Sequence, residues 1–498
     1  MTIQDDRTLA VLPPRGRPDA GDAEPVPPPS RWWAVLVPGI PCALAAALGL
    51  WGADRLSLWR DEAVTVGVSQ RSVGDILRLV SDVDAVHAAY YLLMHGVIAL
   101  FGTGEFALRL PSIIAFAATA AGVAALGRRL VSLLGGLLAG VLYAASPFAD
   151  RYAHEARPYA IATALAVLAT LLLVRAVETG TWRRWGLYGA ALALLGAVHL
   201  FALLVVPAHL VALAGARRAV RRWLVAVSGA GVALSGLIAV AASQRRVLEW
   251  VPRPGWRDAR WLAEGFAGSP ALLWLLGAAA LAGAVSARRR GPVDVRMLAV
   301  PWLVLPPAVL LAVSQFHPCY VNRYVIASLP AFSLLAAAGL ARLPRGTWAV
   351  ALVAVAVLVA PRQDEVRRPE TAWDQMREAS AIIGGRARQG DAVAYVPITK
   401  RLVAEAYPGP FRELRDIGLA VPPARAANFG GSEAGAAELR DRLHDPAVRR
   451  VWLLEGEWPV RDGTLDAQNR AKIDALEAGF PHREAWRVRG LTITLYAR

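Results

Sequence analysis

Two adjacent carboxylates, Asp61 and Glu62, stand in Leu58-Trp59-Arg60-Asp61-Glu62-Ala63, just after the first long apolar segment, Trp32 to Trp51. A carboxylate pair at the mouth of a membrane span is costly beside lipid and persists where it faces water, a partner or a substrate. The chemistry it offers is general-base: one carboxylate accepts a proton from an incoming hydroxyl. Neighbouring side chains point in different directions, so the two cannot serve equally. The bland alternative is an interfacial carboxylate paired with Arg60 or Arg55. A second acidic stretch, Asp82-Val83-Asp84-Ala85-Val86-His87, precedes Tyr90 and Tyr91. Asp82, Asp84 and His87 could orient a substrate, assist the base or bind a metal, or form a solvated loop; their spacing is weak for a metal site.

Cationic residues supply the complement. Arg151-Tyr152-Ala153-His154-Glu155-Ala156-Arg157-Pro158-Tyr159 is a short linker whose arginines, histidine and tyrosines suit the grip of a phosphate. A Glu155–Arg157 ion pair opening a helix, with Pro158 in its first turn, is the structural alternative. Arg323, in Tyr320-Val321-Asn322-Arg323-Tyr324, could neutralise a lipid-linked phosphate or snorkel to the interface. His199 and His209 lie within apolar segments and read as satisfied interior histidines.

The elements that must position these residues are membrane spans. A chain of 498 residues, 56% hydrophobic, is an integral membrane protein. The predicted spans are 32–51, 109–127, 131–149, 158–176, 186–200, 201–215, 224–243, 270–286, 298–316, 324–341 and 347–361, and 186–215 could instead be one long tilted helix. With eleven spans and a cytoplasmic amino terminus, the inner loops hold 15 arginines against two acids, Glu178 and Asp294. Joining 186–215 would put those arginine-rich loops outside. The net charge of +15 therefore reflects topology more than nucleic-acid binding, because from Arg362 on the chain is nearly balanced, 22 basic against 20 acidic.

Residues 1–31, rich in proline and acids, read as a disordered cytoplasmic tail. The segment 52–108 is too long for a plain connector. Its two mixed stretches, near 75–80 and 90–101, are expected along the interface, with Trp59, Tyr90 and Tyr91 at headgroup level. From 362 to 498 the pattern becomes soluble α/β. It has helices at 371–388, 399–406 and 469–478, and strands at 392–396, 450–454, 483–488 and 491–496. No glycine-rich phosphate loop follows the early strands. Cys42 and Cys319 read as small buried hydrophobes.

In this order the motifs resemble the GT-C superfamily of membrane glycosyltransferases, close to bacterial members related to protein mannosyltransferases and aminoarabinose transferases. The resemblance rests on Trp59-Arg60-Asp61-Glu62 and on Asp84-Ala85-Val86-His87-Ala88-Ala89-Tyr90-Tyr91. It rests also on Arg109-Leu110-Pro111-Ser112, Arg157-Pro158-Tyr159 and Asn322-Arg323-Tyr324. Two prolines usual after the histidine are alanines here.

The resemblance implies a polytopic helical bundle over 32–361, with a large first outer loop at 52–108 and an extracytoplasmic α/β domain at 362–498, in the plasma membrane. It implies a polyprenyl-phosphate sugar donor, mannose being the first guess, and an envelope lipid, polysaccharide or protein acceptor. Asp61 is then the catalytic base, with Glu62 and Asp84 beside it. Arg157, Arg323 and Arg151 hold the donor phosphate, and Asp82, His87, Tyr90, Tyr91, His154, Glu155 and Tyr159 position substrates. No cofactor is called for; the chemistry does not demand a divalent metal, and no nucleic-acid partner is expected. A transporter or flippase would show paired repeats with broken spans, and a non-catalytic assembly protein would not need Asp61.

Overall fold

A computed structural model describes residues 31–245, 249–287, 289–344, 346–456 and 466–498. The predicted tail up to residue 30 and two of the loop arginines, Arg288 and Arg345, lie outside the described residues.

Helix α1 (Arg31–Leu50) leads into the long loop, which folds as α2 (Arg60–Ser69), α3 (Val73–Asp82) and α4 (Ala88–Phe101). The bundle continues with α5 (Glu105–Leu130), α6 (Leu133–Ala144), α7 (Pro147–Ala153), α8 (Tyr159–Thr179), α9 (Trp182–Val198) and α10 (Val206–Ala212). It closes with α11 (Val220–Ser243), α12 (Trp256–Ala267), α13 (Pro270–Ser286), α14 (Val295–Val313), α15 (Leu329–Leu340) and α16 (Thr347–Glu365). Among the described residues, seven helices are long and apolar enough to cross a membrane, or up to nine if each of two bent pairs is one span.

The bends have a local cause. α6 and α7 meet at 60°, and α12 and α13 at 79°. Both breaks carry Ser-Pro: Ser146 and Ser269 cap the following helix, accepting from Ala149 N and Leu272 N, with Pro147 and Pro270 at its first position. Proline there loses no hydrogen bond, while the residue before it is pushed out of helical geometry. The span predicted at 131–149 is therefore two helices.

Segment 186–215 is also two pieces. His199, with φ −159° and ψ 100°, ends α9 in extended backbone. Residues Leu200–Val205 and Leu213–Gly215 are 3-10 turns around α10. Arg222 at the start of α11 donates to Gly180 O at the end of α8 (2.6 Å), whereas His199 packs on Tyr159 at the other end of α8. Residues 200–215 thus run the length of the bundle. The steeper rise of 3-10 turns lets sixteen residues cover roughly 28 Å.

Arginines gather at the end where Gly180 lies. Arg129 pairs with Glu178 at 2.9 Å, and Arg289 donates to Gly215 O and Pro292 O at 3.4 and 3.1 Å. In the bundle, α13 and α15 touch through Gly283 and Gly339, where any side chain would meet the facing backbone.

Beyond α16 lies a small sheet domain. Its helices are α17 (Met376–Gly384), α18 (Leu402–Ala406), α19 (Ala436–His444) and α20 (Ala467–Gly479). Strands β1 (Ala392–Val396), β2 (Arg415–Asp416), β5 (Arg450–Gly456), β6 (His482–Val488) and β7 (Leu491–Ala497) form a sheet ordered β2-β1-β5-β7-β6. A minor pair, β3 (Leu419–Val421) and β4 (Ser432–Glu433), stands apart. β1 pairs parallel with β2 and β5, and β7 antiparallel with β5 and β6. The four predicted strands are present. The helix expected at 371–388 is shorter, because residues 372–375 leave helical geometry and Gln375 N donates to Arg489 O at 2.9 Å.

One apolar core joins Leu58, Val66, Tyr90 and Met94 of the first loop with Ile383, Val403, Trp452 and Ile493. The first-loop helices are therefore sandwiched between bundle and sheet. Trp59, Tyr90 and Tyr91, expected at headgroup level, are buried instead.

Candidate active site

At the bundle end opposite the arginine cluster, several helix termini and the sheet domain enclose a cavity of about 740 Å³. Asp61, Asp84, His87, Arg157, Tyr159 and Arg323 line it, together with Trp59, His199, Gln244, Trp373 and Phe429.

Asp61 lies in the first turn of α2, where the helix dipole favours a carboxylate. Its Oδ2 is 3.5 Å from Arg323 Nη2, and its side chain keeps about a quarter of its exposure. Glu62 does not reach the cavity. It is fully buried and forked to Arg109, with Nε–Oε1 and Nη2–Oε2 both 3.0 Å. Ala156 N donates to Oε1 (2.7 Å) and Trp59 N to Oε2 (3.3 Å). Every direction around this carboxylate is occupied, so its expected role beside the base is corrected to a structural one.

Arg323 donates Nε–H to Tyr159 OH at 2.9 Å and lies over the rings of Trp59, Tyr159 and Tyr324, 5.7 to 5.8 Å from their centroids. Arg157 donates to Asp61 O (3.2 Å) and Thr65 Oγ1 (3.4 Å) and meets His87 Nε2 at 3.0 Å. Its Nε is buried without a partner among the described residues. The Glu155–Arg157 pair weighed as the alternative does not form; Glu155 is 3.7 Å from Arg151 instead.

The tautomer of His87 follows from its neighbours. A guanidinium only donates, so Nε2 accepts from Arg157 and Nδ1–H donates to Asp84 Oδ1 at 2.6 Å. Tyr91 OH donates to the other oxygen of Asp84 at 2.5 Å. Burial raises the Asp84 carboxyl, but His87, Tyr91 and Arg157 together outweigh it and hold it below the usual carboxylate range. Asp84 sits at φ 63°, a left-handed turn that aspartate tolerates. With one contact on each oxygen it orients His87 and, through it, Arg157, and it keeps spare acceptor capacity in the cavity it lines. Among the described residues no group of three or more His, Cys, Asp or Glu is arranged to hold a metal.

Other predicted residues fall outside the cavity. Asp82 ends α3, exposed to solvent. His154 is buried against Asp150 O (2.9 Å) and Trp51 O (3.3 Å). Tyr90 packs in the core shared with the sheet. Arg151 stacks over Trp373, 4.9 Å from the ring centroid, and so supports the wall from behind. Glu155 is buried with no hydrogen bond to its carboxylate among the described residues, and burial pushes it up to about 7 despite Arg151. His209 is the satisfied interior histidine expected, between Thr170 Oγ1 (3.0 Å) and Tyr188 OH (2.9 Å). His199 is not: it lines the cavity, and its Nδ1 has no partner among the described residues.

Three contributors belong to no motif in the sequence. Gln244, at the end of α11, accepts from Ala85 N (2.8 Å) and donates to Val80 O and Ser81 O (3.0 and 3.2 Å), fixing the Asp84 turn. Its position, a lone amide where an apolar helix ends, is the one clue the sequence offers. Trp373 reaches in beside Trp59, with ring centroids 6.0 Å apart. The adjacent Asp374 Oδ2 accepts from Arg60 N (3.0 Å) and Arg60 Nε (3.2 Å), capping α2 from the carboxyl-terminal side.

The fold defined by this bundle and its appended sheet is that of the GT-C membrane glycosyltransferases. Residues 88–242 match the family model described as dolichyl-phosphate-mannose-protein mannosyltransferase. That match begins after Asp61, Asp84 and His87. The structure is similar to ArnT from Cupriavidus metallidurans in the apo state, with TM-score 0.62 and 13% identity, covering 93% of this chain and 98% of that one. It is also similar to the same protein bound to undecaprenyl phosphate, with TM-score 0.62, 12% identity and coverage of 94% and 98%. At such identity the likeness establishes the fold. No curated protein matches the sequence.

Proposed function

We propose that the protein transfers a monosaccharide from a polyprenyl-phosphate donor to a hydroxyl-bearing envelope acceptor, with inversion. The observation that carries this reading is the meeting, in one cavity, of a solvent-reachable carboxylate, Asp61, with two guanidiniums, Arg323 and Arg157. The undecaprenyl phosphate bound by the structurally similar ArnT supports the donor class.

Asp61 accepts the acceptor's proton as its oxygen forms a bond to the anomeric carbon. The bond from that carbon to the phosphate oxygen breaks, and the electron pair leaves with the phosphate. Arg323 and Arg157 stabilise the charge that develops there, so no acid is needed at the leaving group. Arg157 brings an unused Nε–H to this task. Mannose is the first sugar to try, and the acceptor is a glycolipid, polysaccharide or protein.

The same reading places the cavity and the sheet domain outside the cytoplasm. The support is the gathering of arginine-rich, acid-poor loops at the opposite end of the bundle. Reporter fusions at Arg222, Arg290 and Arg362 then read in, in and out, and a cytoplasmic signal at Arg362 sinks the orientation. The functional test incubates purified protein with radiolabelled polyprenyl-phosphate sugars and envelope fractions, with Asp61→Asn as control. Label transfer by the wild type and none by the variant is the expected result. Equal transfer by both overturns the base, and lipid movement without transfer turns the reading toward a flippase.

A further inference from the structure

The imidazole of His199 has no hydrogen-bond partner among the described residues. The residue is 8% exposed and its Nδ1 is fully buried. An imidazole always carries at least one N–H, so an unpaired ring in an apolar setting forfeits hydrogen bonds it would make in water. Such a group survives at a site when something else completes it. The backbone presents the ring: His199 ends α9 in extended geometry and lines the cavity.

Its surroundings say what completes it. Tyr159 and Tyr324 meet the imidazole edge-on at 5.7 Å each, and Phe201 lies at 6.2 Å. Phe201 stacks on Tyr324 with centroids 5.3 Å apart, so the three rings form one aromatic wall. The rings of Tyr159 and Tyr324 also lie under Arg323, and the hydroxyl of Tyr159 accepts from its Nε. The wall is therefore adjacent to the guanidinium assigned to the phosphate. In its neutral form the imidazole of His199 offers one donor and one acceptor. A hydroxyl can meet this ring whichever nitrogen faces it, whereas a phosphate, which only accepts, meets only the N–H. An aromatic wall suits the C–H face of a sugar ring, whose slightly positive hydrogens meet the negative ring faces.

We infer that His199, with Phe201 and Tyr324, forms the subsite for the sugar of the donor, and that His199 reads one of its hydroxyls. The inference rests on the donor reading above and deepens it. An isoprene unit of the lipid could occupy an aromatic wall as well, but it would leave Nε2, the imidazole nitrogen that is not fully buried, unpaired.

The test compares two probes on wild type and His199→Phe: a polyprenyl phosphate without sugar, and the polyprenyl-phosphate sugar that the wild type transfers from a panel of mannose, glucose, galactose and arabinose. Phenylalanine keeps the aromatic volume and removes only the hydrogen bonding. Affinity for the sugar-bearing donor should fall about ten-fold, the worth of one buried hydrogen bond. Affinity for the sugar-free lipid should not change. His199→Gln, which keeps a donor and an acceptor, should recover part of the loss. Equal losses for both lipids, or no loss for either, overturn the assignment of His199 while leaving the donor reading intact. A wild type that binds neither lipid overturns the donor reading, and the inference with it.

Discussion

The two faces of α2 carry neighbouring carboxylates that live in opposite worlds. Toward the cavity, Asp61 has one long contact to Arg323 and remains reachable by solvent. Toward α5, Glu62 is sealed from water and holds four short contacts, two from Arg109 and two from backbone N–H groups. The guanidinium of Arg109 in turn donates to Ala53 O, Leu56 O and Ser57 O, so it stitches the loop before α2 to the bundle. The contrast teaches which acid can do chemistry. A carboxylate whose lone pairs are all committed cannot accept a proton from a substrate, whereas one with spare capacity can. Glu62 holds in place the turn that presents Asp61 to the cavity.

The sharpest way to break this comparison is Asp61→Asn. The amide keeps the shape and cannot take a proton near neutral pH. Turnover should fall by about 10² to 10⁴, the usual worth of a positioned general base, while the protein stays folded and binds donor. Near wild-type turnover would remove Asp61 from the role.

Glu62→Gln should fail differently. It strands the charge of Arg109 in the interior, which costs about 3–5 kcal/mol of stability when a buried pair is broken from one side. The measurement is the thermal unfolding midpoint in detergent, beside turnover per folded molecule. A large drop in midpoint with the surviving fraction still active supports the division of labour. An unchanged midpoint with lost turnover would mean that both faces of α2 serve the reaction.

The division could be read only halfway from the sequence. Asp61, Arg157 and Arg323 were legible because charged residues at the mouths of apolar spans are rare and each has a local motif. That Asp61 and not Glu62 faces the cavity was not legible, because it is settled by Arg109, 47 residues away. Gln244 and Trp373 come from still farther, and no spacing rule joins them to the first loop. His199 was misjudged because composition alone cannot tell a histidine packed among partners, like His209, from one packed among rings. The strands of the sheet were legible from their alternation and length. The core they share with α2 and α4 was not, since first-loop helices with apolar faces look the same against lipid as against a sheet.

A smaller effect separates the phosphate contacts from the base. Arg157→Ala removes a charge-assisted contact worth about 1.5–3 kcal/mol, so donor affinity should weaken about ten- to a hundred-fold. Lysine should recover only part, lacking the planar fork that also meets His87 and Asp61 O. Normal donor binding by Arg157→Ala would shift the phosphate toward Arg323.

The smallest effect tests whether the sheet domain takes part in holding the cavity face of α2. Asp374 is buried and accepts from the first N–H of the helix and from Arg60 Nε, with Trp373 beside it against Trp59. A free N–H at a helix start is otherwise left to water, and a capping acceptor is typically worth about 1 kcal/mol. Asp374→Ala should therefore loosen the turn that carries Asp61 and lower kcat by about five-fold. Donor affinity should stay unchanged, because no phosphate ligand is touched. Asp374→Asn, which keeps an acceptor oxygen, should lie between the two. A loss of donor affinity equal to the loss of kcat would show the domain acting on the donor site as a whole, and no loss at all would leave α2 held by Glu62 and Arg109 alone.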